Sequence, residues 1–432
     1  MMNVKKSRRS IPFGSPALAL LLAISSTAGV QARNTFQEGV TAELTSRHCT
    51  VVAAVNDSGI IIGNNEDYSE PFTAMYVLPA SDTAYGRVLF GFSFSDTIPG
   101  YCGGVNEKGL FTDGNGIPNT GWKEEPGKES FSGNLESAVL AKYATVGEVA
   151  TFFETHNVPN LETGRWLVAD KSGASAIFEW GENKLQILRR KGSYQIATNF
   201  VQSDYPEGKY PDARYNLADT IFRQSNDITV DVIKRVLDDT HFEDYGGSFN
   251  VTLYSYICDL NTGDIHVYNF HNYDNEVKLN VYEELRKGQH EYPLASLFPH
   301  EPFAVQQFKD TRVAYKLYER AVQNGISGDN GAIAFYKELR SPGSRPFKYD
   351  IGEKHLNAVG YGLLSQNMIN QAIELFDFTV SEYPQSANAY DSRAEAHMKA
   401  GNKELAIADY KKSLELNPNN DNAVKMLEEL QK

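Results

Sequence analysis

Cys49-Thr50-Val51-Val52-Ala53-Ala54-Val55-Asn56-Asp57-Ser58-Gly59-Ile60-Ile61-Ile62-Gly63-Asn64-Asn65-Glu66-Asp67-Tyr68 reads as two strands about one tight turn. The runs 49–55 and 59–63 are apolar and rich in β-branched residues, which suit a pleated, half-buried surface. Between them, Asn56-Asp57-Ser58-Gly59 is built of turn formers. Such a hairpin brings Asp67 back beside Cys49. A carboxylate there could hold a free α-ammonium group on that cysteine. Taken alone, a cysteine opening an apolar strand is a small, inert core residue. An aspartate after Asn64-Asn65 serves a turn equally well.

Outward from this hairpin the β pattern continues. Apolar runs at 74–78 and 87–94 read as strands, followed by helical patterns at 135–143 and 146–155. Strands return at 166–169, 174–180, 184–188 and 194–198, then helices at 213–222 and 230–237. The strands 251–258 and 264–270, with Asn261-Thr262-Gly263 between them, close the region as a hairpin. Blocks of strands alternating with blocks of helices predict two sheets with helices outside, not a doubly wound parallel sheet.

The N-terminal 1–32 reads as a secretory signal peptide. Lys5, Lys6, Arg8 and Arg9 precede the short apolar stretch 17–24, and Val30-Gln31-Ala32 offers small residues for cleavage. That stretch is short for a membrane span, so no span is expected once the signal is removed. The paired arginines are also compatible with twin-arginine export. The residue before Cys49 is His48, and no lipoprotein box is present. Residues 33–48 then make a short propeptide, and the expected location is the periplasm or the medium.

The C-terminal end repeats with an offset of 34 residues. Leu356, Val359, Gly360 and Leu363 fall over Tyr390, Arg393, Ala394 and His397, and Ala372, Phe376 and Pro384 fall over Ala406, Tyr410 and Pro418. This resembles the tetratricopeptide repeat, a pair of antiparallel helices per unit. Residues 353–432 are assigned to such repeats, with a capping helix from 421. Residues 301–352 form a helical connector whose stretches 304–322 and 331–339 supply a further layer.

Composition narrows the functional classes. Apolar residues make up 41% and charged residues 22%, which excludes wholesale disorder. A formal net charge of -14 argues against nucleic acid as a partner. Three cysteines are too few for a disulfide scaffold. No His/Cys spacing suggests a metal, no phosphate-binding loop ends the Gly-rich stretch 100–116, and no cofactor is expected.

Cys49-Thr50, Gly63-x-Asn65-x-Asp67-Tyr68, Gly104-Val105-Asn106-Glu107-Lys108-Gly109-Leu110 and Thr198-Asn199 stand in this order along 49–300. Together they resemble the choloylglycine hydrolase and penicillin V acylase superfamily, including its acyl-coenzyme A:isopenicillin N acyltransferase-like branch. The resemblance implies the αββα sandwich of N-terminal nucleophile hydrolases. It also implies cleavage before Cys49, whose α-amine, with an ordinary pKa of about 8, then serves as general base to the thiol. Asp67 would orient that amine. Asn199 and the backbone around Asn115-Gly116 would hold the oxyanion. Arg214, in Pro211-Asp212-Ala213-Arg214-Tyr215, would stabilise the thiolate or anchor Asp67. Read without the resemblance, Asn199 is a loop asparagine bonding its own backbone. Arg214 is then a solvated residue at a helix start, and 106–109 is a turn between strands in either case.

Asn64 departs from the family pattern. Bile-salt hydrolases and penicillin V acylases carry an arginine there, and the acyltransferase-like branch a neutral polar residue. Asn64 and Tyr68 are the substrate-side candidates, with Phe72, Tyr76, Phe90 and Phe92 as walls of an acyl pocket or as plain core. Cys102 and Cys258 are left as a disulfide or as two buried thiols. The reading is thus an exported cysteine amidase acting on linear N-acyl amides. An acyltransferase using the same acyl-enzyme is the alternative. So is an inactive scaffold whose repeats bind a protein partner or a second copy. A papain-like Cys–His pair ranks last, since no histidine is singled out.

Overall fold

The computed structural model describes residues 49–69, 71–93, 99–243, 250–300, 303–341 and 351–431. The expected signal peptide and propeptide lie outside the described residues. So does most of the stretch between the helices ending at Arg340 and beginning at Glu353.

The chain opens as a run of antiparallel strands: β1 (Thr50–Asn56), β2 (Gly59–Tyr68), β3 (Thr73–Leu78), β4 (Arg87–Ser93), β5 (Pro99–Asn106) and β6 (Leu110–Gly116). The two-residue strands β7 (Glu129–Ser130) and β8 (His156–Asn157) flank helices α1 (Leu135–Lys142) and α2 (Val146–Thr155). Next come β9 (Gly164–Asp170), β10 (Ser175–Gly181), β11 (Lys184–Arg189) and β12 (Tyr194–Ala197), then α3 (Ala213–Gln224) and α4 (Val230–Asp239). The hairpin β13 (Val251–Asp259) and β14 (Asp264–Asn269) follows, then β15 (Val277–Asn280), α5 (Val281–Arg286) and β16 (His290–Pro293).

These strands make two large sheets. One has the order β12-β1-β2-β13-β14-β15, the other β11-β10-β9-β6-β5-β4-β3-β16. Helices α3 and α4 cover the first, where Val52, Ala54, Ile61, Ile196 and Ile257 pack on Ile221, Phe222, Ile233, Val236 and Leu237. Helices α1 and α2 cover the second, where Leu89, Val168, Ala176 and Phe178 meet Val139, Leu140, Val149 and Phe153. The inner faces meet through aromatic rings: Phe90 of β4 stacks on Tyr256 of β13 with centroids 4.2 Å apart. The layer order is helix, sheet, sheet, helix, the αββα sandwich expected. Strands covered on both sides need apolar residues on both faces, which is why β1 reads as a continuous apolar run rather than an alternating one, and β10 as one broken inside only by Glu179.

The turn at 106–109 is structural. Asn106 Oδ1 accepts from the Lys108 and Leu110 N–H groups, and its Nδ2 donates to the carbonyls of Leu140 and Tyr143 at the end of α1. Gly109 closes it at φ +79°, a conformation that favours glycine.

The described residues divide into two compact units, with the boundary at 312/313, inside α6 (Phe303–Asn324). The second unit holds the rest of α6, α7 (Ala332–Arg340), α8 (Glu353–Ser365), α9 (Ile369–Glu382), α10 (Ala387–Lys399), α11 (Lys403–Leu416) and α12 (Asp421–Leu430). The last five are two tetratricopeptide-like pairs and a cap. Small residues let the helices close up: a Cβ on Gly360 would fall 2.3 Å from the Phe376 ring. Ala394, Ala406, Tyr410 and Ala423 form the matching cluster one repeat on. Among the described residues, no helix is long and apolar enough to cross a membrane.

Candidate active site

Register builds the site. β1 and β2 pair with Thr50 opposite Asn65, so Glu66 falls across from Cys49. Strand alternation then sends Cys49, Asn64 and Glu66 into the layer between the sheets, and Asn65 and Asp67 to the helix-covered face. Asn65 donates to the Leu237 carbonyl of α4 at 2.8 Å. The Cys49 Sγ–H donates to Glu66 Oε1 at 3.6 Å. The hairpin thus returns the Asn64–Tyr68 motif to Cys49 as expected, with one difference. The carboxylate facing the thiol is that of Glu66, and the side chain of Asp67 lies on the other side of the strand.

Asp67 is no turn cap. It is fully buried within β2, where Thr252 Oγ1 donates to its Oδ1 and Arg214 Nη1 lies 3.5 Å from its Oδ2. Arg214 is equally committed. It sits in the first turn of α3, whose N-cap Asp212 accepts from the Tyr215 N–H through Oδ1 and holds Arg214 Nη2 at 3.2 Å through Oδ2. The same guanidinium donates to Asn199 Oδ1 at 2.8 Å and to the Cys49 carbonyl at 3.5 Å. Only 15% of its side chain is exposed, so it is not a solvated helix residue.

Asn199 follows β12 and donates from Nδ2 to the Gly116 carbonyl at 2.8 Å. Asn115, at the end of β6, donates from Nδ2 to the Cys49 carbonyl at 3.1 Å. Cys49, Asp67, Asn115, Asn199 and Arg214 therefore gather from five separate segments of the chain. The loop holding Asn199 is anchored from below by a buried ion pair. Arg165 Nε lies 3.3 Å from Glu179 Oε2, both side chains fully buried. Arg165 donates onward to the Phe200 carbonyl and to Gln202 Oε1, while Glu179 accepts from the N–H groups of Gln202 and Ser203.

Asn64 is completely buried, opposite Val51 and Tyr256, and neither end of its amide has a hydrogen-bond partner among the described residues. Tyr68 ends β2 with its ring 4.8 Å from that of Phe92. Phe90 and Phe92 line the inner layer, whereas Tyr76 packs with the core under α1 and α2, on the outer face. Cys102 and Cys258 are separate buried thiols, not a disulfide.

The electrostatics of this interior are acidic. Burial, then the charges of Glu66, Asp67 and Asp113, push the Cys49 thiol well above its ordinary range, against a hydrogen bond from the Asp67 backbone N–H. Burial raises Asp67 to about 7, opposed by Arg214, Thr252 and His241. Asp113 is held well above the carboxylate range by burial and by Glu66, although Tyr256 donates to its Oδ2 at 2.7 Å. Gly103 leaves the room for Asp113, since a Cβ there would lie 1.9 Å from Oδ2. A thiol in this setting is neutral at rest and needs a base before it can attack a carbonyl.

Glu66, Thr252, Asp113, Asp212 and the Arg165–Glu179 pair are absent from the sequence-derived site. Glu66 was within reach: a two-residue turn at Asp57-Ser58 pairs 56 with 59 and, counted back along the strands, 49 with 66, on the thiol's face. Thr252 meets Asp67 across 185 residues, Tyr256 meets Asp113 across 143, and Arg165 and Glu179 reach the loop after Asn199 across 23 to 37, so no local spacing signals them. Asp212 stands only two residues before Arg214 but reads as an ordinary N-cap.

A family model described as acyl-coenzyme A:6-aminopenicillanic acid acyl-transferase matches residues 54–274. A tetratricopeptide-repeat model matches 387–420. Among solved structures, a variant of conjugated bile acid hydrolase from Clostridium perfringens is 20% identical, with 56% of this chain and 96% of that one covered and a TM-score of 0.44. Penicillin V acylase from Agrobacterium tumefaciens is 16% identical, with 59% and 94% covered and a TM-score of 0.47. The first tetratricopeptide domain of the human RPAP3 protein is 20% identical over 28% of this chain and 90% of its own, with a TM-score of 0.21. No curated protein sequence matches the chain.

Proposed function

The chain belongs to the acyl-coenzyme A:6-aminopenicillanic acid acyl-transferase family, whose model takes in just over half of it, and on that premise we propose an exported cysteine amidase with an N-terminal nucleophile. Its substrates are linear N-acyl amides. The observation that carries this reading is the convergence of Asp67, Asn115, Asn199 and Arg214 on a fully buried Cys49.

The geometry supports the following mechanism. Autocatalytic cleavage before Cys49 frees its α-amine. That amine takes the thiol proton, and Asp67, oriented by Arg214 and Thr252, holds the ammonium that forms. Sγ bonds to the amide carbonyl carbon. The Asn199 amide, oriented by Arg214, and the backbone at Asn115-Gly116 stabilise the oxyanion. Collapse breaks the C–N bond, and the leaving amine takes the proton from the Cys49 ammonium. Water then hydrolyses the thioester, returning thiol and acid. Asn64, neutral where bile-salt hydrolases carry a positive charge, favours an acyl group without a matching anion. An acyl acceptor other than water would make the same acyl-enzyme a transferase, as the family's name allows. The helical repeats are assigned to a protein partner or a second copy of the chain.

The test is the intact mass and N-terminal sequence of the exported protein, beside Cys49→Ala. A mature chain beginning at Cys49, with the variant retaining residues 33–48, supports the mechanism. A wild-type chain still beginning near Arg33 leaves the amine blocked. That outcome sinks the amidase and promotes the reading of an inactive scaffold.

A further inference from the structure

Before cleavage the nitrogen of Cys49 is an amide, and an amide nitrogen is no base. The α-amine that serves the mature reaction therefore cannot serve the step that creates it. The thiol nevertheless has a partner in reach: Glu66 Oε1, 3.6 Å from Sγ, on the adjacent strand and the same face. We propose that Glu66 is the general base and acid of self-cleavage, a catalytic residue of maturation rather than of turnover. The proposal rests on the reading of Cys49 as an N-terminal nucleophile.

Two other carboxylates lie near, and neither is the one in contact with the thiol. Asp67 projects from the opposite face of β2, bound by Thr252 and Arg214. Asp113 comes from the facing sheet and accepts the Tyr256 hydroxyl. Glu66 is the one whose oxygen contacts the thiol. It is held in place by β2, paired on one side with β1 and on the other with β13, where Tyr254 stands opposite it.

The step balances without any further reactant but water. Glu66 takes the thiol proton as Sγ bonds to the carbonyl carbon of residue 48. The tetrahedral centre collapses by breaking the C–N bond to Cys49. Glu66 returns the proton to the departing nitrogen, leaving a free amine and a thioester. Water hydrolyses the thioester to a carboxylate on residue 48 and the thiol of Cys49. From then on the new amine, carried on the same residue as the thiol, takes over as the base.

The experiment compares two rates. The full chain is made in a cell-free system, and its conversion to the form beginning at Cys49 is followed by intact mass. Acylation is read separately in chains begun at Cys49, with the initiator methionine removed, from the p-nitrophenolate burst given by p-nitrophenyl acetate. General-base loss costs about 10²–10⁴-fold. Glu66→Gln should therefore slow self-cleavage at least tenfold more than it slows acylation. Glu66→Asp, a carboxylate that reaches less far, should cleave more slowly than wild type and faster than E66Q. Near-UV circular dichroism reports whether each variant folds; if E66Q does not, the Asp variant decides, and wild-type speed there overturns the proposal. Cleavage of E66Q at the wild-type rate also overturns it, as does an equal fall in both rates, which would make Glu66 a shaping residue. If the wild-type chain itself never cleaves, the N-terminal nucleophile reading fails first, and the two failures are told apart.

Discussion

Arg214 donates to Asn199 Oδ1 at 2.8 Å, and that bond decides which end of the Asn199 amide faces Gly116. An amide has one accepting and one donating end. With Oδ1 held by the guanidinium, Nδ2 is directed toward the Gly116 carbonyl, beside the donors proposed for the oxyanion. Lysine cannot reproduce this, because the same guanidinium also reaches Asp67, Asp212 and the Cys49 carbonyl in a planar fork.

Arg214→Lys is therefore expected to lower kcat by about tenfold to a hundredfold with a smaller change in KM. Asn199→Ala should cost about 10²–10³ in kcat, the usual loss of one oxyanion donor. Because Arg214 acts partly through Asn199, the double variant should lose less than the product of the two. Steady-state kinetics on one N-acyl amide checks all three, and simple multiplication of the losses would refute the coupling.

Asp67 predicts a pH dependence of stability. Its folded pKa of about 7 lies above the unfolded value near 3.8, so the folded chain holds the proton more tightly between those two. An acid raised in this way contributes least stability at high pH: its share is present below the unfolded pKa and is lost as pH rises through the folded one. The loss is on the order of 4 kcal/mol by the standard conversion. In an uncleaved Cys49→Ala background, Asp67→Asn should remove this fall. The gap between the two denaturation midpoints should open in favour of the Asn variant from pH 4 to pH 7.5. A gap that stays constant with pH contradicts the assignment.

The buried Arg165–Glu179 pair predicts a stability loss away from the reacting atoms. Glu179→Ala leaves a guanidinium without its carboxylate in a fully buried place, and frees two N–H groups of the loop after Asn199. Breaking such a pair from one side costs about 3–5 kcal/mol. Urea unfolding followed by the tryptophan signal of Trp166 and Trp180 should register it. A loss under about 1 kcal/mol would place the loop's anchor elsewhere.

In the helical unit, Gly360→Ala pits two effects against each other. Alanine favours a helix over glycine by about 0.5–1 kcal/mol. Its methyl would also sit 2.3 Å from the Phe376 ring, and overpacking costs about 1–3 kcal/mol. The ring stands between α8 and α9 and cannot retreat without separating them. The variant should lower the thermal midpoint of the repeats; an increase would mean the helices part freely.

Much of this was legible in the sequence for definite reasons. Doubly covered strands are apolar on both faces, so β1, β10 and β13 announce themselves. The 34-residue offset carries helix packing in its small residues. The turn at 106–109 implies a strand before it, but the bounds 99–106 are not marked in the sequence, because Gly100, Gly103 and Gly104 interrupt any apolar run. They are there for contact: a Cβ on Gly103 or Gly104 would strike Asp113 or the Val88 carbonyl. The short elements β15, α5 and β16 carry too few residues for any period to show. Of the site, Cys49, Asp67, Asn115, Asn199 and Arg214 were legible by motif order. Thr252 was not, since a hydrogen bond across a fold leaves no spacing behind, and Asp212, two residues before Arg214, reads only as a helix N-cap.

Gly103 has a consequence for anyone who would evolve this protein toward new acyl groups. A mutant library aimed at the inner layer would naturally include it, lying as it does between Cys102 and the Asp113 carboxylate. Every substitution there meets Asp113 Oδ2 at 1.9 Å before it can touch a substrate. Position 103 is thus a barren one for directed evolution unless Asp113 is shortened in the same clone. Productive searches should randomise the two as a pair.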